Sequence, residues 1–174
     1  LIIVFGIGGS AGQAGILVSL FSGASAIAAS QSGRVYSYFS NLTYPFSILS
    51  VVIGGGLMLV ALAQSLIHMA VGAFSIGVGF GLLFSLWRVL IIELTPEAVR
   101  GVLISFGETA KGAGATLAPV IMGVVFIILQ SYYELVFALR LTNALFGFLA
   151  IIVSMYLSFI AVSKTPERIS MTDF

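Results

Sequence analysis

Residues 66–92 read LIHMAVGAFSIGVGFGLLFSLWRVLII, and they decide the fold. Over this stretch Arg88 is the one formally charged side chain, and His68 is the one histidine. A helix rises about 1.5 Å per residue, so a run of this length more than covers the roughly 30 Å hydrocarbon core of a bilayer. Membrane β-strands come instead as alternating segments of about 10 residues. This run is far longer and does not alternate, so it reads as a transmembrane helix.

The same character continues in both directions. The 174 residues are 60% hydrophobic and 7% charged, against about 25% charged in a soluble domain. Between Leu1 and Trp87 the only formal charge is Arg34. Half the chain therefore has almost nothing to solvate a globular exterior. Apolar helices are expected at about 11–32, 44–63, 66–92, 97–129 and 134–162, separated by SGRVYSYFSN, AQS, LTPEAVRG and LQSYYE. The fold class is thus an all-α membrane protein. Its transmembrane helical domain covers 1–163, followed by a cytoplasmic tail over 164–174. The opening LIIVFGIGG is too short to span a bilayer, and it lacks the basic start of a signal peptide. It reads as the last part of a helix, and the chain as a fragment.

Several function classes find no support. Cysteine is absent, which excludes disulfide and thiol chemistry. One histidine does not make a multi-ligand metal site. Gly54-Gly55-Gly56 lacks the lysine of a phosphate loop, and the only aspartate lies in the tail. A net charge of +1 without a basic patch offers nothing to nucleic acid. Neither an enzyme nor a cofactor is expected.

Positive charge sets the orientation. Arg34, Arg100, Lys164 and Arg168 fall at alternate helix ends, with Arg88 near the same side. Cytoplasmic loops collect Lys and Arg, so that side is cytoplasmic. Glu134, His68 and Arg140 lie toward the other side, and Asn41-Leu42-Thr43 matches a glycosylation pattern by chance. In the LTPEAVRG loop Thr95 is the expected N-cap, Pro96 the first helical residue and Glu97 a partner for the helix dipole. Small residues recur four apart, as Gly15, Ser19, Gly23 and as Ala73, Gly77, Gly81. Such ridges let helices approach closely in lipid.

Three motifs resemble the major facilitator superfamily of secondary transporters. Gly33-Arg34-Val35-Tyr36-Ser37-Tyr38-Phe39-Ser40-Asn41 is similar to its G-R-L-x-D-R-F-G-R loop, with Ser37 where the family has Asp. Gly77-Val78-Gly79-Phe80-Gly81, followed by Glu93-Leu94-Thr95-Pro96-Glu97-Ala98-Val99-Arg100-Gly101, resembles its glycine-rich helix and E-L-x-P-x-x-x-R-G loop. Gly114 through Ala118-Pro119 to Gly123 resembles G-x-x-x-G-P-x-x-x-G, with Ala118 for a glycine. Their order across the chain is more specific than any one of them.

The resemblance implies that residues 1–9 end the seventh helix of a transporter and that the eighth to twelfth helices follow. The alternative register is the second to sixth helices. It further implies secondary active transport of a small solute by alternating access, uptake or efflux, in the plasma membrane. The partners would be the lipid bilayer and the N-terminal half of the same transporter. A non-transporting membrane scaffold or assembly subunit is the rival function.

Ionisable groups at membrane depth are functional candidates by default. Glu108 and Lys111 are the sharpest, three apart on one helix face and seven and ten residues past Gly101. Either they line the substrate or proton pathway, or they form a local structural pair with Lys111 snorkelling. Arg88 is expected to snorkel or brace the loop. Arg140, sharing a face with Asn143, is expected to anchor the outer interface. His68 is expected to be a solvated loop residue, and Pro119 to kink its helix.

Overall fold

The structure, a computed structural model, describes residues 8–38 and 43–163. The opening apolar run up to residue 7, loop residues 39–42 and the tail with Lys164 and Arg168 lie outside the described residues. So does the Glu93 side chain. Among the described residues there are six α-helices: α1 (Ala11–Ser30), α2 (Ser32–Tyr38), α3 (Thr43–Ala61), α4 (Leu66–Leu94), α5 (Glu97–Gln130) and α6 (Leu135–Ser163). Four of them, α1, α4, α5 and α6, contain stretches long and apolar enough to cross a membrane. The apolar part of α3, Pro45–Ala61, is shorter.

The expected loop after α1 is largely helical. Gln31 caps α1, and its carbonyl accepts from the N–H groups of Arg34 and Val35, so a new helix begins at once. Gly33 does not break α2, because a single glycine costs a helix only about 1 kcal/mol. The start of α5 also differs from expectation. Thr95 closes α4 in extended conformation, and Pro96 occupies the N-cap with no side-chain capping bond. The Thr95 carbonyl instead accepts from Arg100 Nε at 2.8 Å. Arg100 thus fixes the turn from inside the next helix.

The long helices alternate in direction. Glycines Gly77 and Gly81 of α4 lie against Phe21 and Ser25 of α1, so α1 and α4 run parallel. Gly56 faces Gly72 and Ile76, while Gly79 faces Leu49 and Ile53, so α3 runs antiparallel to α4. Gly54 meets Gly147 and Ile151, which sets α6 antiparallel to α3. The α1–α2 corner, the α4–α5 turn and the end of α6 therefore share one side. That side holds Arg34 and Arg100, and the α3–α4 and α5–α6 turns lie opposite.

At these crossings one backbone sits almost on another. A Cβ on Gly81 would strike the Ser25 carbonyl, and one on Gly77 the Phe21 carbonyl. Only the missing side chain permits the approach, which is how helices gain dispersion contacts where lipid removes the hydrophobic drive. Ala14, Ala63 and Met69 form a small buried cluster beside the α3–α4 turn, with Leu17, Val60, Leu66 and Leu139 against it. Apolar side chains such as Ile16, Ile27, Phe106 and Tyr156 stay exposed, as a lipid-facing surface requires. α5 stands apart, since none of its residues is buried.

Candidate functional site

Most polar side chains inside these helices are satisfied by their own backbone. Thr142 donates to the Ala138 carbonyl, Ser154 to Ala150 and Asn143 Nδ2 to Leu139, each one turn back. Such bonds close a polar group locally and leave little for a ligand. Arg140 is tied across the bundle: its Nη2 donates to the Ala63 carbonyl at 2.9 Å. It therefore grips the turn between α3 and α4 and is no free interfacial anchor. Its Nε is buried without a hydrogen-bond partner among the described residues. His68 sits in the exposed first turn of α4, its backbone N–H and Nδ1 both facing Ser65 Oγ.

One cluster is built differently. Arg88 on α4 reaches Glu108 on α5, with Nη2 at 2.8 Å and Nε at 3.2 Å from the same oxygen, Oε1. Lys111 Nζ lies 3.5 Å from the other oxygen, Oε2, and 4.4 Å from the ring centre of Phe84. The carboxylate is thus bracketed by two cations, and one of these rests on an aromatic face. Glu108 lies eleven residues into α5, about 16 Å along the axis. Insertion scales put one unpaired charge at about 2.5–3.5 kcal/mol at a helix centre, less toward the interface. Among the described residues two cations meet one anion, which leaves one positive charge without a counter-charge.

Two cavities flank the cluster. One, of about 330 Å³, is lined by Ser25, Phe80, Phe84, Ser85, Arg88 and Lys111 between α1, α4 and α5. The other, about 320 Å³, is more apolar, with Phe46, Leu83, Phe84, Trp87 and Gly107 among its walls. Phe84 lines both. Small-molecule sites span roughly 300–1,000 Å³, and both spaces, each open on one side, fall at the lower end of that range. No group of three or more metal-ligating side chains occurs among the described residues.

The loop candidates Gly33 and Arg34 lie on exposed α2, where Arg34 Nη1 donates to Gln31 Oε1. Glu93, Pro96, Arg100 and Gly101 fall in or beside the α4–α5 turn. Gly77 and Gly81 pack on α1, whereas a Cβ on Gly114 or Gly123 would meet nothing. α5 runs unbroken through Pro119. Sequence reasoning missed the bond from Arg88 to Glu108. A symmetrical hairpin about Thr95-Pro96 would set Arg88 level with Leu103. Instead Trp87, eight residues before Thr95, stands beside Gly107, eleven after Pro96. The offset of about one turn brings Glu108 to Arg88. The missed aromatic wall carried only a faint signal, the spacing of Phe80, Phe84 and Trp87 on one face of α4.

A family model described as the Major Facilitator Superfamily matches residues 1–172. A sugar transporter of Arabidopsis thaliana, "Sugar transporter ERD6-like 9", is 35% identical over 63 residues. The matched segment covers 36% of this chain and 19% of that relative. No solved structure matches the chain significantly.

Proposed function

Because the chain belongs to the Major Facilitator Superfamily, we propose that it supplies most of the C-terminal half of a secondary active transporter that moves a small solute by alternating access. The partner half is an N-terminal set of helices in the same transporter, and the site of action is the plasma membrane. Transporters of this build hold substrate near the midplane between two repeats. The likeness of one segment to a sugar transporter supports solute movement in general.

One observation carries the assignment of residues. Arg88, Glu108 and Lys111 join α4 and α5 by charge beside a space lined by Phe80 and Phe84. A scaffold gains nothing from keeping an excess charge there. Glu108 is the proton-handling group, and Lys111 and Arg88 are its counter-charges.

The test is reconstitution of the complete transporter in vesicles, with solutes screened under an imposed proton gradient. Glu108→Gln keeps the shape of the side chain and removes its titration. Proton-driven uptake is expected to fall by at least 10²-fold, within the usual weight of positioned proton transfer, while solute exchange across the membrane persists. Loss of stability with normal transport in the surviving protein would mark the cluster as structural. An absence of gradient-dependent flux for every solute class would favour the scaffold.

A further inference from the structure

We infer that the cavity between α1, α4 and α5 binds the carboxylate of a small anionic solute, with Arg88 and Lys111 as its ligands and Glu108 as the internal anion it displaces. This rests on the transport reading above and adds a substrate class to it.

The charge count comes first. The walls of this cavity carry two cations, Arg88 and Lys111, and the one acidic side chain that meets them among the described residues is Glu108, which contacts both. Both cations turn toward Glu108, yet neither is used up by it. Arg88 spends Nε and Nη2 on a single oxygen, and no hydrogen bond engages its Nη1 among the described residues. The side chains of Arg88 and Lys111 remain 59% and 40% exposed. A guanidinium is a planar fork matched to a two-oxygen anion, and here it meets only one oxygen of Glu108. The bond is therefore a partial version of the contact that Arg makes best.

The surroundings agree. Ser25 from α1 lines the wall with a hydroxyl, whereas Ser85 on α4 gives its proton to the Gly81 carbonyl at 3.0 Å and has only lone pairs left, which suit a hydroxyl of the solute and not its carboxylate. Phe80 and Phe84 supply the apolar side for the body of the solute. A cationic solute fits poorly, because both oxygens of Glu108 already face cations and the newcomer would meet two like charges. A wholly neutral solute leaves the excess positive charge without an answer. An incoming carboxylate supplies what is missing, and it competes with Glu108 for the same two side chains.

Competition gives the test its sign. The complete transporter is placed in nanodiscs of zwitterionic phosphatidylcholine, and its thermal unfolding is followed against gluconate and glucose, which differ by the carboxylate. Gluconate is expected to stabilise the protein saturably, and glucose not. In Glu108→Gln the internal competitor is gone, so half-saturation by gluconate should occur at a concentration about tenfold lower, the weight of one charge-assisted hydrogen bond. Arg88→Lys keeps the charge but loses the fork and should weaken binding about tenfold. Arg88→Gln with Lys111→Gln should abolish it. If that double variant does not fold, the gain in Glu108→Gln still decides, since a damaged site does not bind more tightly. Equal effects of glucose and gluconate overturn the inference, as does unchanged or weaker gluconate binding in Glu108→Gln. Stabilisation by phosphatidylglycerol in place of gluconate, lost with Arg88 and Lys111, would assign the site to a lipid headgroup and overturn it too. Binding is read here without flux. Gluconate binding without transport sinks the transport reading alone, and transport of a neutral solute without gluconate binding sinks this one alone.

Discussion

α1, α3, α4 and α6 meet backbone to backbone at glycines, whereas α5 meets α4 through side chains. In the first group Gly54, Gly56, Gly72, Gly77, Gly79, Gly81 and Gly147 each admit a facing helix to within contact of the main chain or a side-chain stem. α5 buries no residue and reaches α4 chiefly where Trp87 crosses Gly107 and Arg88 meets Glu108. The two kinds of contact respond differently to force. A glycine crossing has no give, because neither backbone can step aside without moving a whole helix. Charged side chains can release one partner and take another without disturbing the fold. The rigid group is suited to hold a framework, and α5, in the transport proposed above, to change partners.

The sharpest way to break this contrast is to fill a glycine crossing. Gly81→Leu places a side chain where the Ser25 carbonyl lies, and Gly77→Val does the same at Phe21. Overpacking usually costs about 1–3 kcal/mol, occasionally more, and here the obstacle is backbone, so the cost should reach or pass the upper end. Little folded, monodisperse protein is expected after detergent extraction. Normal yield and unfolding temperature for either variant would mean that α1 is free to shift against α4.

Arg140 probes the framework more gently. Arg140→Leu removes the bond that grips the Ala63 carbonyl, worth roughly 1.5–3 kcal/mol for a charged donor. It also removes a buried Nε that has no partner, which offsets part of that loss. A net destabilisation of about 1 kcal/mol is expected in chemical or thermal unfolding. A gain in stability would show that the orphaned Nε outweighs the bond.

The seam between α4 and α5 should be softer still. A Cβ at Gly107 would approach Trp87 Nε1 to 2.7 Å, but the obstacle is the edge of a side chain. Gly107→Ala should therefore turn the indole and cost less than about 1 kcal/mol, the scale of one off-rotamer torsion. Trp87 is the only tryptophan, so its fluorescence maximum reports the event directly. An unchanged spectrum combined with a large loss of stability would place α5 in the rigid group.

How much of this was legible in the sequence follows the same division. Helix positions could be read because apolar runs and their interruptions are local features. Gly77 and Gly81 stood out by spacing, and both lie at a crossing. Gly54 and Gly147 have no such signal, because their partnership depends on how α6 returns to α3 across a long stretch of chain. The Glu108–Lys111 contact lies within one helix turn and is visible as a spacing of three. The Arg88–Glu108 bond spans twenty residues and depends on a one-turn offset set by the Thr95 corner. Thr95 misled for a related reason. It belongs to the residue types that cap helices, yet the proline after it took the cap position and Arg100 took its carbonyl.

The smallest expected effect sharpens the comparison most. Gly114 and Gly123 share the small-residue character of Gly77 and Gly81, yet a Cβ at either would meet nothing within 4 Å among the described residues. Gly114→Ala should not lower the stability of these helices and should raise it by up to about 1 kcal/mol, because alanine favours helix over glycine. If α5 keeps that open face for the partner half, the same methyl group has a different consequence in the complete transporter. It should leave folding untouched and slow the conformational step, lowering the maximal rate of transport by several-fold while solute affinity stays constant. The open face and the packed face would then use one residue type for two purposes, a moving contact on α5 and a fixed one on α4. Full tolerance of Gly114→Ala in both folding and flux would remove that distinction, leaving α5 to meet its partner half through side chains, as it meets α4 here.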